Sequence, residues 1–136
     1  MAEARIIPAI QSVAEFVIKI NGTEIPRTVA RRMVHVNKTA NKISYATIVI
    51  EDGEAATGTF PQSDGDLFVP GGKVEISAGD PDNKTLVFKG IIIKHSISIK
   101  NYLSPQLIIE CRQQAVKLTK GRKSKCFHDM SDSDII

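Results

Sequence analysis

The stretch that decides the fold is Thr85-Leu86-Val87-Phe88-Lys89-Gly90-Ile91-Ile92-Ile93-Lys94-His95-Ser96-Ile97-Ser98-Ile99-Lys100. Within it, Ile91, Ile93, Ile97 and Ile99 are expected on one face together with His95. Lys94, Ser96, Ser98 and Lys100 take the other. Alternation of this length marks a strand half-buried against a core. Asn101 and Tyr102 offer a turn, and residues 103–111 return with Leu107, Ile109 and Cys111 on one face. The two runs form a long antiparallel hairpin.

Upstream, the same logic repeats in shorter pieces. Residues 16–20 are the first strand, and Asn21-Gly22 closes it. That dipeptide favours a type I′ hairpin turn, whose two central positions need positive φ. Residues 23–25 begin the return, and Pro26 limits its pairing. Residues 33–37 and 43–50 are the next strands, joined by the polar linker 38–42. Residues 53–72 are rich in Gly, Pro, Asp and Ser, and read as a long loop that interrupts the sheet. Loops of that length are usually functional or mobile. Residues 73–78 alternate cleanly, and Asp80-Pro81-Asp82-Asn83 supplies turn chemistry before the long strand.

Downstream of Cys111 the alternation stops. Residues 112–118 hold good helix formers over at most two turns, with Gly121 as terminator. Residues 125–129 read as extended. Ser131-Asp132-Ser133-Asp134-Ile135-Ile136 has the caps and acidic first turn of a helix start. A helix needs roughly a dozen residues to be more than marginal, so the sequence reads as the front of something longer. The expected organisation is an N-terminal arm over 1–12, a β domain over 13–120 and the start of a following segment over 121–136. The fold class is mainly β, with one short helix and a truncated helix start. Alternation alone leaves an antiparallel β-barrel or a sandwich, and the barrel is what a family resemblance of the C-terminal half implies.

With 136 residues and 42% hydrophobic content, the chain can bury a single core; a domain of this size removes roughly two-thirds of its unfolded surface from water. Aromatics are 5% with no Trp, so Ile, Val and Leu must fill that core. No apolar run approaches the ~20 residues that span a bilayer, and no signal-peptide pattern opens the chain. Cys111 and Cys126 lack metal-ligand or CxxC spacing; a reducing compartment is expected, with a disulfide between them the alternative. The net charge is only +3, yet Arg112, Lys117, Lys120, Arg122, Lys123 and Lys125 crowd residues 112–125. Lys19, Arg27, Arg31 and Arg32 make a weaker cluster.

No motif singles out a reaction. His35, His95 and His128 have no carboxylate or cysteine at ligand spacing, and His95 reads as a hydrogen-bonded core histidine. Pro70-Gly71-Gly72-Lys73 lacks the strand-to-helix context and full spacing of a P-loop, because Lys73 opens a strand. Asp64/Asp66 and Asp80/Asp82 have the spacing of part of a calcium loop but lack the distal Glu. No catalytic, cofactor-binding or metal-binding residue is expected, and no enzyme. The basic run 112–125 reads as a solvated face or a contact for an acidic protein partner. Its alternative is a nucleic-acid-binding, OB-like barrel, although only Tyr102 and Phe127 could supply the stacking platforms such sites use.

The C-terminal half also carries a family resemblance. Residues 86–99 resemble the F-x-G-I-V-x-x-x-S strand of VgrG-type and phage late-control D-type tail hub proteins. Ile108-Ile109-Glu110-Cys111-Arg112, Ala115-Val116-Lys117-Leu118-Thr119 and Gly121-Arg122-Lys123-Ser124-Lys125 follow in that family's order. Phe127, Asp129 and residues 131–136 complete the series, and Phe68-Val69-Pro70-Gly71 with Lys73-Val74-Glu75-Ile76 is similar upstream. The resemblance covers residues 68–136. It implies a non-enzymatic hub of a contractile injection apparatus, type VI secretion-like or phage tail-like, joining tube to spike in a homotrimer. The implied partners are its own copies, a tube protein ring, baseplate proteins and effector cargo, with no membrane anchor. Such a protein would be made in the bacterial cytoplasm and ejected with its particle.

Overall fold

The computed structural model describes residues 15–54, 56–100, 104–122, 124, 126, 128, 129, 131 and 133. The expected arm over 1–12, the Asn101-Tyr102 turn and most of the C-terminal helix start lie outside those residues. Seven antiparallel strands form one sheet: β1 (Glu15–Ile20), β2 (Thr23–Glu24), β3 (Arg31–Asn37), β4 (Tyr45–Glu51), β5 (Lys73–Asp80), β6 (Asn83–Ser98) and β7 (Gln106–Arg112). Their spatial order is β2-β1-β5-β6-β7-β4-β3. The mainly β architecture and nearly every expected strand are therefore present. The closed barrel is not: the hydrogen-bonded order ends at β2 on one side and β3 on the other, which makes an open sheet.

The turns follow their local chemistry. Asn21 and Gly22 sit at φ 51° and 84°, the positive values that the Asn-Gly hairpin requires. Asn21 also ties the hairpin to β5, since its Oδ1 accepts the Lys73 N–H at 2.9 Å. Asp80 pairs with Asn83, so Pro81 and Asp82 form the two-residue link between β5 and β6. The long loop has a topological cause. β4 lies beside β7 while β5 lies beside β1, so the chain must pass β7 and β6 to travel between them. It is no slack tether: it contains a bridge between Glu54 and Thr59 and a 3-10 helix, Asp66–Phe68, that inserts Phe68 fully into the core.

One face of the sheet makes the core, with Ile18 and Ile20 of β1, Ile48 and Ile50 of β4, Ile76 of β5, Phe88 and Ile92 of β6, and Leu107 and Ile109 of β7. Ile25, Val29 and Phe68 join from the connections. β3 contributes no fully buried residue, as suits an edge strand. A bulge between Arg31 and Met33 breaks its ladder, one of the devices that protect sheet edges.

The face assignment on β6 needs correction. The expectation placed Ile91, Ile93, Ile97 and Ile99 with His95 on one buried face. Instead the register shifts between Ile92 and Lys94. Before the shift, Phe88 and Ile92 point inward and Ile91 pairs with outward Arg112. After it, His95 and Ile97 pair with the buried Ile109 and Leu107, but His95 is only half-buried and Ile97 and Ile99 are exposed. A bulge inserts one residue and reverses the parity of everything beyond it. Ile93 is that extra residue, and it emerges on the surface. A second correction concerns residues 112–118, where the expected short helix is a 3-10 helix, Gln114–Thr119, following a strand that continues to Arg112.

Candidate functional site

Asp52 is the one buried charged residue among those described, and sequence reasoning passed over it. It follows the last residue of β4, where its own N–H bonds the Pro105 carbonyl at 2.9 Å. One carboxylate oxygen accepts the N–H groups of Gly53 at 2.9 Å and Gln62 at 3.0 Å; the other accepts the Ser63 N–H at 2.8 Å. Burial pushes its pKa up, but the bonds from Gln62, Ser63 and Gly53 outweigh that and leave it below the ordinary 3.8. The carboxylate is thus a clamp that fastens the long loop to the sheet. A depressed folded-state pKa means its contribution is present above about pH 4 and lost as pH falls through the lower, folded value. Asp52→Asn, with one acceptor oxygen fewer and an amide facing an N–H, is expected to cost about 2 kcal/mol at neutral pH. Urea melts of both proteins should show the difference shrinking below pH 4.

The residues flagged from sequence do not converge. His95 Nδ1 lies 2.9 Å from the Phe68 carbonyl oxygen, the hydrogen bond expected of it, at a half-buried position rather than in the core. His35 lies on the β3 edge with its ring 6.0 Å from that of Tyr45, and the Arg112 guanidinium lies 5.5 Å from the Tyr45 ring centre on β4. His128 is exposed. Pro70-Gly71-Gly72 is the expected turn, with Gly71 at φ 96°. Its N–H groups are engaged, Gly71 to the Ile92 carbonyl and Gly72 to that of Val69. Among the described residues, no group of three or more His, Cys, Asp or Glu side chains could hold a metal ion.

Cys111 is buried on β7 and Cys126 is exposed, and both thiols are free. Burial pushes the Cys111 thiol up to about 12. Because the thiolate is the reactive form, a maleimide reagent at neutral pH should modify Cys126 within minutes. Cys111 should react only in denaturant, as peptide mapping by mass spectrometry would show.

The basic run divides in two. Arg112 lies against Tyr45, while Lys117 and Lys120 border a concavity of about 420 Å³ between the 3-10 helix and the outer side of β6. Ile91, Ile93, Val116 and Gly71 line it. Lys123 and Lys125 lie outside the described residues. Because sequence reasoning assigned Ile93 to the core, it missed this groove; only the bulge places Ile93 there.

The fold and this surface define an all-antiparallel β module with a sealed inner face and a cationic, apolar outer groove. Its sequence belongs to the Alg8 N-terminal domain family, whose model matches residues 10–136. A search of curated proteins gives no match. The family match overturns the assignment to a VgrG-type or phage late-control tail hub, and with it the contractile-injection function. The homotrimer, tube-ring, baseplate and cargo partners were implied by that resemblance alone and lose their support with it. Its weakness has a physical cause: alternating Ile and Lys around tight turns is what any half-buried antiparallel hairpin requires. The OB-like alternative gains no support either; the one described aromatic stacked with the basic run, Tyr45, has its ring between Arg112 and His35.

Proposed function

We propose that this chain is a β scaffold module of a larger Alg8-family protein, curled upon itself and using its outer surface for docking. The observation that carries the reading is the commitment of Asp52. The buried carboxylate spends its acceptor capacity on three backbone N–H groups of its own loop, leaving it a structural rather than a reactive group.

The finer architecture in this proposal is a barrel-like roll. Flat, seven strands spaced about 4.8 Å apart would hold the β2 and β3 edges about 29 Å apart. The connection from Glu24 to Arg31 could span at most about 25 Å fully extended, and it is not extended, since the Val29 N–H bonds the Pro26 carbonyl. Arg31 of β3 also reaches β1, with its guanidinium 3.5 Å from the Phe16 carbonyl oxygen and 5.8 Å from the Phe16 ring centre. Rolling would let a sheet that has no α-helix packed on it among the described residues seal one face.

Alg8 is a name carried by glycosyltransferases, which weighs toward an enzyme for the parent protein and against the expectation of none. The proposal for this module is narrower: any such chemistry belongs to residues beyond it. Titration calorimetry of the chain with a panel of nucleotide sugars tests this, beside a transfer assay. The expected result is neither binding nor turnover. Turnover that vanishes in His95→Ala or Asp52→Asn, at an unchanged folded fraction, would sink the reading.

A further inference from the structure

We infer that the groove between the 3-10 helix and β6 is a docking site for an acidic, apolar peptide segment of a partner protein. The inference deepens the scaffold reading and rests on it. Three observations lead to it.

The first is how the groove is built. The β6 bulge turns Ile93 outward beside Ile91, so two large apolar side chains share the outer side of a strand whose inner side is already packed. The loop turn is fastened to this floor, since Gly71 N–H bonds the Ile92 carbonyl at 2.8 Å and Ile92 N–H bonds the Gly72 carbonyl at 2.9 Å. Val116 of the 3-10 helix forms the facing wall. The floor is therefore preformed by backbone pairing, and an occupant does not have to order it.

The second is charge. Lys117 and Lys120 stand at the groove, and both continue with Arg122 into an adjoining concavity of about 430 Å³ that includes Leu118. None of these three cations forms an ion pair among the described residues, whereas Lys84, Lys89 and Lys94 each have a carboxylate within 4.0 Å. Residues 112–125 contain no Asp or Glu. Clustered like charges without local partners cost stability through mutual repulsion, and an anionic partner relieves it.

The third is the company these cations keep. Leu118 is 84% exposed, the most open large hydrophobic side chain described, and Ile93 is 39% exposed. Polyanions read by phosphate contacts need cations alone. Cations interleaved with open apolar side chains instead match a peptide that alternates carboxylates with aliphatic residues. The aliphatic side chains would enter between Ile93 and Val116, and the carboxylates would meet Lys117, Lys120 and Arg122.

The test uses a fluorescein-labelled decapeptide alternating aspartate and leucine, with aspartate–serine and serine–leucine decapeptides as controls. Anisotropy should report binding of the first, at least tenfold weaker binding of both controls, and at least tenfold loss in Lys117→Glu/Lys120→Glu. Val116→Asp should weaken binding comparably. Lys117 and Lys120 are exposed and Val116 is half-buried, and a thermal melt checks that each variant is folded. No binding of the aspartate–leucine peptide, or binding that ignores the charge reversal, overturns the inference. So does tighter binding of phosphatidylglycerol vesicles or of a single-stranded oligonucleotide. Nucleotide-sugar turnover by the chain would instead strike the scaffold reading, so the two failures are distinguishable.

Discussion

Truncating Phe68 to alanine is expected to lower stability by about 3–5 kcal/mol, because it is the largest fully buried side chain among the described residues. Phe68 is fully buried, yet it belongs to no strand. It enters the core from the short 3-10 helix Asp66–Phe68 within the long connection between β4 and β5. Two losses combine in the variant. The first is the transfer free energy of the ring and the cavity left among side chains that the sheet holds at fixed spacing. The second is the anchoring of the loop, which is otherwise held by Asp52, by the bond between His95 and the Phe68 carbonyl, and by the pairing of Gly71 and Gly72 with Ile92. Urea denaturation should show a lower midpoint, and limited proteolysis should cut within residues 53–67 at protease levels that spare the parent. Phe68→Leu, which keeps most of the apolar volume, should lose roughly 1 kcal/mol. Equal losses for Leu and Ala would mean the site is not a close-packed one.

Gly90→Ala is expected to be nearly as damaging, at about 3 kcal/mol. Gly90 is buried on β6 opposite Val74 of β5. A Cβ there would lie 2.3 Å from the Arg112 carbonyl oxygen and 2.8 Å from Cζ of Phe88. The ring could turn aside, but the carbonyl is backbone in a paired strand and cannot. β7 leaves the sheet just after Arg112, and its last carbonyl folds over the glycine as it departs. Strand propensity would favour Ala over Gly, so a stabilised variant would contradict this packing. Gly22→Ala is the useful control, because no atom lies within 4 Å of its Cβ and only its φ of +84° opposes the change. Its cost is expected at about 1 kcal/mol, and the difference between the two isolates the steric part.

Much of the sheet was legible because its turns are local events. Asn21-Gly22 and Pro81-Asp82 fixed two hairpins through residues that favour those conformations whatever surrounds them. β7 showed its inner face directly, with Leu107, Ile109 and Cys111 buried as expected. What escaped was set by distant partners. The bulge after Ile92 leaves no mark in a run of three isoleucines, because either parity gives an apolar face. It is the pairing of His95 and Ile97 with β7, and of the Ile92 backbone with Gly71 and Gly72, that chooses.

Asp52 escaped for a similar reason. Glu51-Asp52-Gly53 looks like ordinary turn chemistry, and nothing local indicates that Gln62 and Ser63 return to it. The expected barrel is met only as an open antiparallel sheet, and the roll is a proposal. What supports it is the short connection from β2 to β3 and the Arg31–Phe16 contact, neither of which alternation can show. The functional assignment failed furthest, since residues that resembled a hub motif are also those a hairpin needs.

The proposed roll of the sheet, which leaves function to the outer surface, is tested most directly by one contact. In solution NMR, ring protons of Phe16 should give nuclear Overhauser cross-peaks to the Arg31 side chain, with its Hδ resonances shifted upfield by the ring. Arg31→Gln should abolish both while leaving the β1–β5 ladder intact. Absence of those cross-peaks in the folded protein, together with fast amide exchange along the inner face of β1 and β4, would show a flat, unsealed sheet and contradict the account.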